Sequence, residues 1–195
     1  MRIYLLFLVL ILSFQSLAKA DEITELELES ISISDSLNDH FNNNEIQKAL
    51  ETPTYYPKSK KYKVLLFNSN NKDLFEYFNI TIKSNDNNLI IQGLRGEKEM
   101  NINECLKKKL EHVNAAENIL KNSQKSEYNS DYGSHFGNSK AYITEFLLPD
   151  NSLVRIYCAD FDETNELVKN NLWNDGLEVG FASREFSSFL QYEAY

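Results

Sequence analysis

Apolar and polar residues alternate with a period of two along 78–83, where Phe78, Ile80 and Ile82 share one face and Asn79, Thr81 and Lys83 the other. That alternation marks a half-buried antiparallel strand. Segments 62–68, 75–83 and 89–95 all have strand character, and the turn formers of 84–88 separate the last two, so a three-stranded meander is predicted. Further on, 141–148 and 153–160 read as two strands joined by the tight connection 149–152, with Val154, Ile156 and Cys158 on one face. A last strand, 177–182, leads to a short helix carrying Phe186, Phe189 and Leu190.

Between these groups the period becomes helical. Leu106, Leu110, Val113 and Leu120 recur at helical spacing as far as Asn122, and Asn101 with Glu104 has the form of a capping box. Burying those four side chains would contribute roughly 6 to 12 kcal/mol of transfer free energy before entropy is counted, so this longest helix is the expected keystone of the core. Residues 123–139, full of Ser, Asn, Asp and Gly, read as a long polar loop. Ahead of the meander, Ser34 is a candidate N-cap for a helix over 35–42 holding Leu37 and Phe41, and Asn44 with Gln47 suggests a second over 45–50, stopped by Pro53. Residues 21–31, acidic with Ile23, Leu26, Leu28 and Ile31, read as a flexible arm or a short edge strand.

Antiparallel strands separated by helices define an α+β domain: one antiparallel sheet of about six strands in two three-stranded groups, with one long helix and several short helices packed on it. The order of helix, strands, helix, strands hints at a loose duplication, although no internal period of 20 to 50 residues is compelling.

The first twenty residues stand apart from this pattern. Arg2, the apolar run 3–12 and the small residues Ala18 and Ala20 around Lys19 have the order of a cleavable signal peptide. The run is too short to span a bilayer, which needs about 20 apolar residues. The expectation is therefore a signal peptide at 1–20, a single domain at 21–195, and a periplasmic or secreted address without a membrane span.

Charge narrows the partners. The chain carries a net charge of −9, and losing Arg2 and Lys19 with the leader makes it more negative. Such a surface repels phosphate backbones, and the one basic run, 58–63, reads as a solvated linker, so nucleic acid is not an expected partner. Cys105 and Cys158 are the only two cysteines, and export would pair them as a disulfide. That bridge would pin the first turns of the long helix onto the strand 153–160. The chain-entropy account values such a crosslink at roughly 4 kcal/mol.

Candidate chemistry is sparse. His40, His112 and His135 have no metal-ligand spacing, and His112, off the apolar stripe, is expected to be solvated. Asp160, Asp162, Glu163 and Glu166 crowd the segment after a strand end and are weak candidates for holding a hard cation, although a first helical turn also favours acidic side chains. Gly93 and Gly96 belong to no phosphate-binding motif. No cofactor is expected. Tyr128, Tyr132, His135 and Phe136 in the polar loop form a possible contact surface, because exposed aromatics anchor partners.

The run Ile33, Ser34, Asp35, Ser36, Leu37, Asp39, Phe41, followed by cysteines at a helix start and in a late strand, resembles a group of short exported proteins of marine planktonic bacteria. Their motif is similar to G-x-S-I-G-D-S-L-x-D-Y-F; here the first glycine is absent, Ser34 replaces the second, and His40 stands at the tyrosine position. The resemblance implies a periplasmic address and no mechanism. The leading expectation is a non-enzymatic module that binds a protein, peptide or envelope component through an exposed sheet face or the polar loop. The alternative is a hydrolase-like enzyme using the carboxylates of 160–166.

Overall fold

A computed structural model describes residues 22–171 and 173–195; the expected signal peptide, 1–20, lies outside the described residues. Eight strands form one wholly antiparallel sheet: β3 (Thr54–Tyr56), β4 (Ser59–Asn68), β5 (Tyr77–Lys83), β6 (Ile91–Glu99), β7 (Gln124–Asp131), β8 (Lys140–Leu147), β9 (Leu153–Asp160) and β10 (Gly176–Ala182). Their order, β3-β4-β5-β6-β10-β9-β8-β7, sets two four-stranded meanders side by side, joined where β6 pairs with β10. A helix precedes each meander: α2 (Asn43–Glu51) lies against β4 and α3 (Ile102–Ile119) against β9 and β10. The α+β class stands, and the duplicated unit is a helix and four strands rather than three.

Register assigns the two faces. Leu65, Phe67, Phe78, Ile80, Leu94, Val154, Ile156, Leu177 and Val179 are buried and point to one side, toward α2 and α3. The N-terminal segment closes this layer. It is not an arm: a hairpin of β1 (Glu27–Leu28) and β2 (Ile31–Ser32) turns through Glu29 and Ser30, both at positive φ, and buries Ile23, Leu26, Leu28, Ile31 and Ile33 in the same core.

Several expectations need correction. Ser34 does not cap a helix, because its φ of 78° is incompatible with the extended backbone a cap requires. Ser36 does so instead, accepting from Asn38 N while Asp39 accepts from Ser36 N, over the single turn α1 (Leu37–His40). Likewise Asn42 with Glu45, rather than Asn44 with Gln47, caps α2. The predicted long helix is present with Asn101 as its cap, but its stripe is out of phase. Leu110 is 60% exposed and Leu106 is exposed too, whereas Cys105, Val113 and Leu120 are buried and Ile102, Ala116 and Ile119 pack beside them. The true stripe passes through Lys109, whose Nζ donates to Thr144 Oγ1 on the sheet at 2.7 Å. His112 is half-buried, and burial followed by the nearby Lys108 charge holds its pKa below the usual imidazole value.

The polar loop is also corrected: 124–131 is a regular strand paired with β8 along its length. Both its faces are exposed, so it shows none of the apolar alternation by which a strand is read. The basic run lies largely in β4, where Lys61 faces Glu185 and Glu193 at 3.9 and 3.6 Å. These residues belong to α5 (Arg184–Tyr192) and the segment after it. With Lys83 on Glu185 at 2.6 Å, they hold α5 over one end of the second sheet face. Phe186, Phe189 and Tyr62 form a small separate core there. Gly93 is required beneath it, because a Cβ would collide with the Phe186 ring.

Candidate functional site

Cys105 and Cys158 stand at disulfide distance, with Cα atoms 5.9 Å apart, and fasten α3 to β9 on the covered face. The other face is covered only at the α5 end. There, side chains on neighbouring strands form two rows. Arg95 on β6, Gly180 on β10 and Arg155 on β9 are cross-strand partners, flanked by Asn79 on β5 and Glu145 on β8. The next row holds Glu97, Glu178 and Tyr157, and continues through Ile143 to Tyr128.

The charges in these rows neutralise one another. Arg95 Nε lies 3.0 Å from Glu178 and its Nη2 2.7 Å from Glu97, which also accepts from Asn79 Nδ2. Arg155 meets Glu145 through Nε at 2.6 Å and Nη2 at 2.5 Å. Burial works against the charge on Arg95, but Glu178, Tyr157 and Glu97 outweigh it and hold its pKa above the ordinary guanidinium value. Burial pushes Glu178 up; Arg95 opposes this and Glu97 adds to it, and the net shift is upward. Burial, with Glu178 beside them, also raises Tyr157 well above an ordinary phenol and Tyr132 to about 12.

A cleft of about 310 Å³ opens above the arginine row, running from Arg155 and Tyr157 to Phe186 and Leu190 of α5, with Tyr56 and Tyr195 at its side. The arginines keep 44% and 42% exposure, while Glu178 in the next row and Glu145 beside Arg155 keep 16% and 18%. Both arginines line the cleft and the glutamates paired with them do not.

The sequence-predicted residues are dispersed around this face. Tyr128 belongs to β7 and lies over the open face, where burial followed by Glu145 raises its pKa. Tyr132 and Phe136 come together, 5.9 Å between ring centres, and join Phe161 and Trp173 in an aromatic cluster at the end of the sheet away from α5. His135 is exposed, and its carbonyl accepts from Asn165 Nδ2. The carboxylates near 160 have separate tasks. Asp160 accepts from the Tyr142 hydroxyl at 3.3 Å, and Asp162 accepts from Thr164 and from Asn138 N. Glu163 is exposed, and Glu166 opens the short α4 (Glu166–Asn171). Among the described residues, no three or more His, Cys, Asp or Glu side chains are grouped to hold a metal ion.

Arg95, Arg155, Tyr157 and Gly180 were missed as site residues. Their signal was the complement of one already visible: if Val154, Ile156 and Cys158 face the core, Arg155 and Tyr157 must face the other way. Fold and site together define a class: an α+β domain of two helix-and-meander halves, with one sheet face covered by helices and the other carrying a partly roofed polar cleft. Compared with protein-family models, curated proteins and solved structures, the chain matches none of them.

Proposed function

We propose that this chain is an exported, non-enzymatic binding module whose working surface is the open face of the eight-stranded sheet, and that it takes a protein or peptide segment there. The observation that carries this reading is the chemistry of the open face. Charged groups set into a sheet are costly to desolvate, and the core on the opposite face holds together without them. Two arginines, three glutamates and several tyrosines nevertheless occupy the centre of this face, where partly exposed Arg and Tyr are the side chains most suited to anchoring a partner. The leader-like N-terminus and the cysteine pair at disulfide distance support a periplasmic or secreted setting. The resemblance to exported marine bacterial proteins agrees with that address. Among the described residues no helix is long and apolar enough to cross a membrane.

Photocrosslinking tests the surface. A photoreactive amino acid placed at Leu66 or Tyr128, both exposed on the open face, is expected to yield the same discrete adduct in an envelope extract. The same group at Leu110, on the outer side of α3, is expected to yield none. Adducts from position 110 alone would contradict the proposal.

A further inference from the structure

The cleft differs in one respect from the rest of the molecule. The chain has 29 acidic residues against 20 basic ones, yet among the described residues the cleft is lined by two arginines and by no aspartate or glutamate. Its remaining polar lining consists of donor-bearing side chains, among them Asn79, Thr81, Tyr56 and Tyr157. Lysine is the chain's usual cation, since arginine occurs only four times, and two of those four share this row. Arginine's rigid fork suits a carboxylate in a way that lysine's point charge does not.

Geometry gives the pair a common target. Arg95 and Arg155 are both cross-strand partners of Gly180, so two strand spacings, about 10 Å, separate their backbones, and no side chain rises between them. In each guanidinium, Nε and Nη2 face glutamate, and Nη1 is not the atom in any of these pairs; Arg155 also lies within reach of the Tyr128 hydroxyl. Beside this polar floor the cleft becomes apolar, with Leu153, Ala182, Phe186 and Leu190 toward α5. In the other direction the sheet face is open.

Resting on the open-face reading above, we propose that the cleft binds the C-terminal carboxylate of a partner polypeptide that ends in an apolar residue. The carboxylate lies over Gly180 between Arg95 and Arg155 and accepts their Nη1 hydrogens. The final side chain packs against Phe186 and Leu190, and the preceding residues leave along the open face. The three glutamates paired with them restrain the guanidinium groups, so less ordering remains when the ligand arrives.

The mature chain can be titrated with the hexapeptide Ser-Gly-Ser-Gly-Leu-Phe, as the free acid and as the C-terminal amide, following the Nε–H signals of Arg95 and Arg155 and the Gly180 amide by NMR. The free acid is expected to shift all three and to bind about tenfold or more tightly than the amide, the scale of one charge-assisted hydrogen bond. Gly180→Val provides a variant that keeps the fold. A Cβ there meets nothing closer than 3.6 Å, yet the added methyl groups fill the space over the row. It is expected to melt within a few degrees of the parent and to lose the acid-specific binding. Arg155→Lys, which keeps the charge facing Glu145 but not the fork, is expected to weaken it.

Equal binding of acid and amide would overturn the proposal, as would shifts confined to other regions. A response to dodecanoate but not to the peptide would assign the cleft to a free acid and overturn the peptide source. Crosslinking at Leu66 and Tyr128 reads the open-face interaction independently. If it persists while the carboxylate preference fails, only this inference falls; if it fails too, the functional reading falls with it.

Discussion

Backbone strain at a few residues is repaid by tertiary contacts, and this can be measured. Glu29 and Ser30 form a two-residue hairpin turn with φ of 50° and 67°, a conformation that favours Asn-Gly. The sequence Glu-Ser carries no such signal, and for this reason the hairpin is not legible in it. Glu29 is held in place by Ser69 Oγ at 2.7 Å and by Asn71 N. Ser30 is exposed and makes no comparable side-chain bond among the described residues. Ser30→Gly is therefore expected to stabilise the fold by roughly 1 kcal/mol in urea unfolding; a loss of stability would contradict the turn. The tyrosines give a pH prediction. Tyr132, raised to about 12, and Tyr157, raised well above its ordinary value, remain neutral in the folded state above the ordinary phenol value near 10. Their contribution to stability is fully present below pH 10 and is lost as pH rises through about 12. At pH 11 the native protein is expected to show fewer phenolates by absorbance than the urea-unfolded chain. Superimposable titration curves would show that these hydroxyls are not buried beside Glu178.

At the scale of the element, legibility followed burial. The hairpin of β8 and β9 and the strand β10 fall within a residue or two of their predicted places, and α5 carries Phe186, Phe189 and Leu190 as expected, because each has one apolar face and a clear turn or cap. Asn151, at a φ of 68° between β8 and β9, is a turn residue of the kind its side chain favours. The edge strands β3 and β7 escaped notice because β3 is only three residues long and β7, with two wet faces, shows no period to read. Helix α3 was found but misphased, since two exposed leucines on one side outweighed a buried stripe interrupted by Lys109. The corrected phase predicts that Leu110→Ser changes stability by less than about 0.5 kcal/mol, whereas Val113→Ala costs roughly 1 to 3 kcal/mol. The opposite ranking in denaturant unfolding would restore the first phase. Replacing Cys105 and Cys158 together by serine is expected to cost about 4 kcal/mol, from a sequence separation of 53. Unfolding of the oxidised parent and the variant at the same denaturant concentration would contradict the crosslink.

On the scale of the whole molecule, everything proposed for the cleft depends on the seam. Arg95 comes from the first meander, and Gly180 and Arg155 from the second, so the arginine row exists only because β10 lies between β6 and β9. The duplication was visible in the sequence as an order of elements. The seam was not, because the pairing of β6 with β10 is set by long-range register rather than by any local signal. Two independent four-stranded sheets would leave β6 and β10 as edges with a row of unpaired backbone groups. Residue-resolved amide hydrogen exchange of the oxidised protein separates these cases. Continuity predicts that the amides of 93–98 and 177–182 are among the slowest to exchange, opening only with global unfolding, while those of β7 are among the fastest strand amides. Rapid exchange along β6 and β10, at rates like those of β7, would break the sheet in two and remove the site.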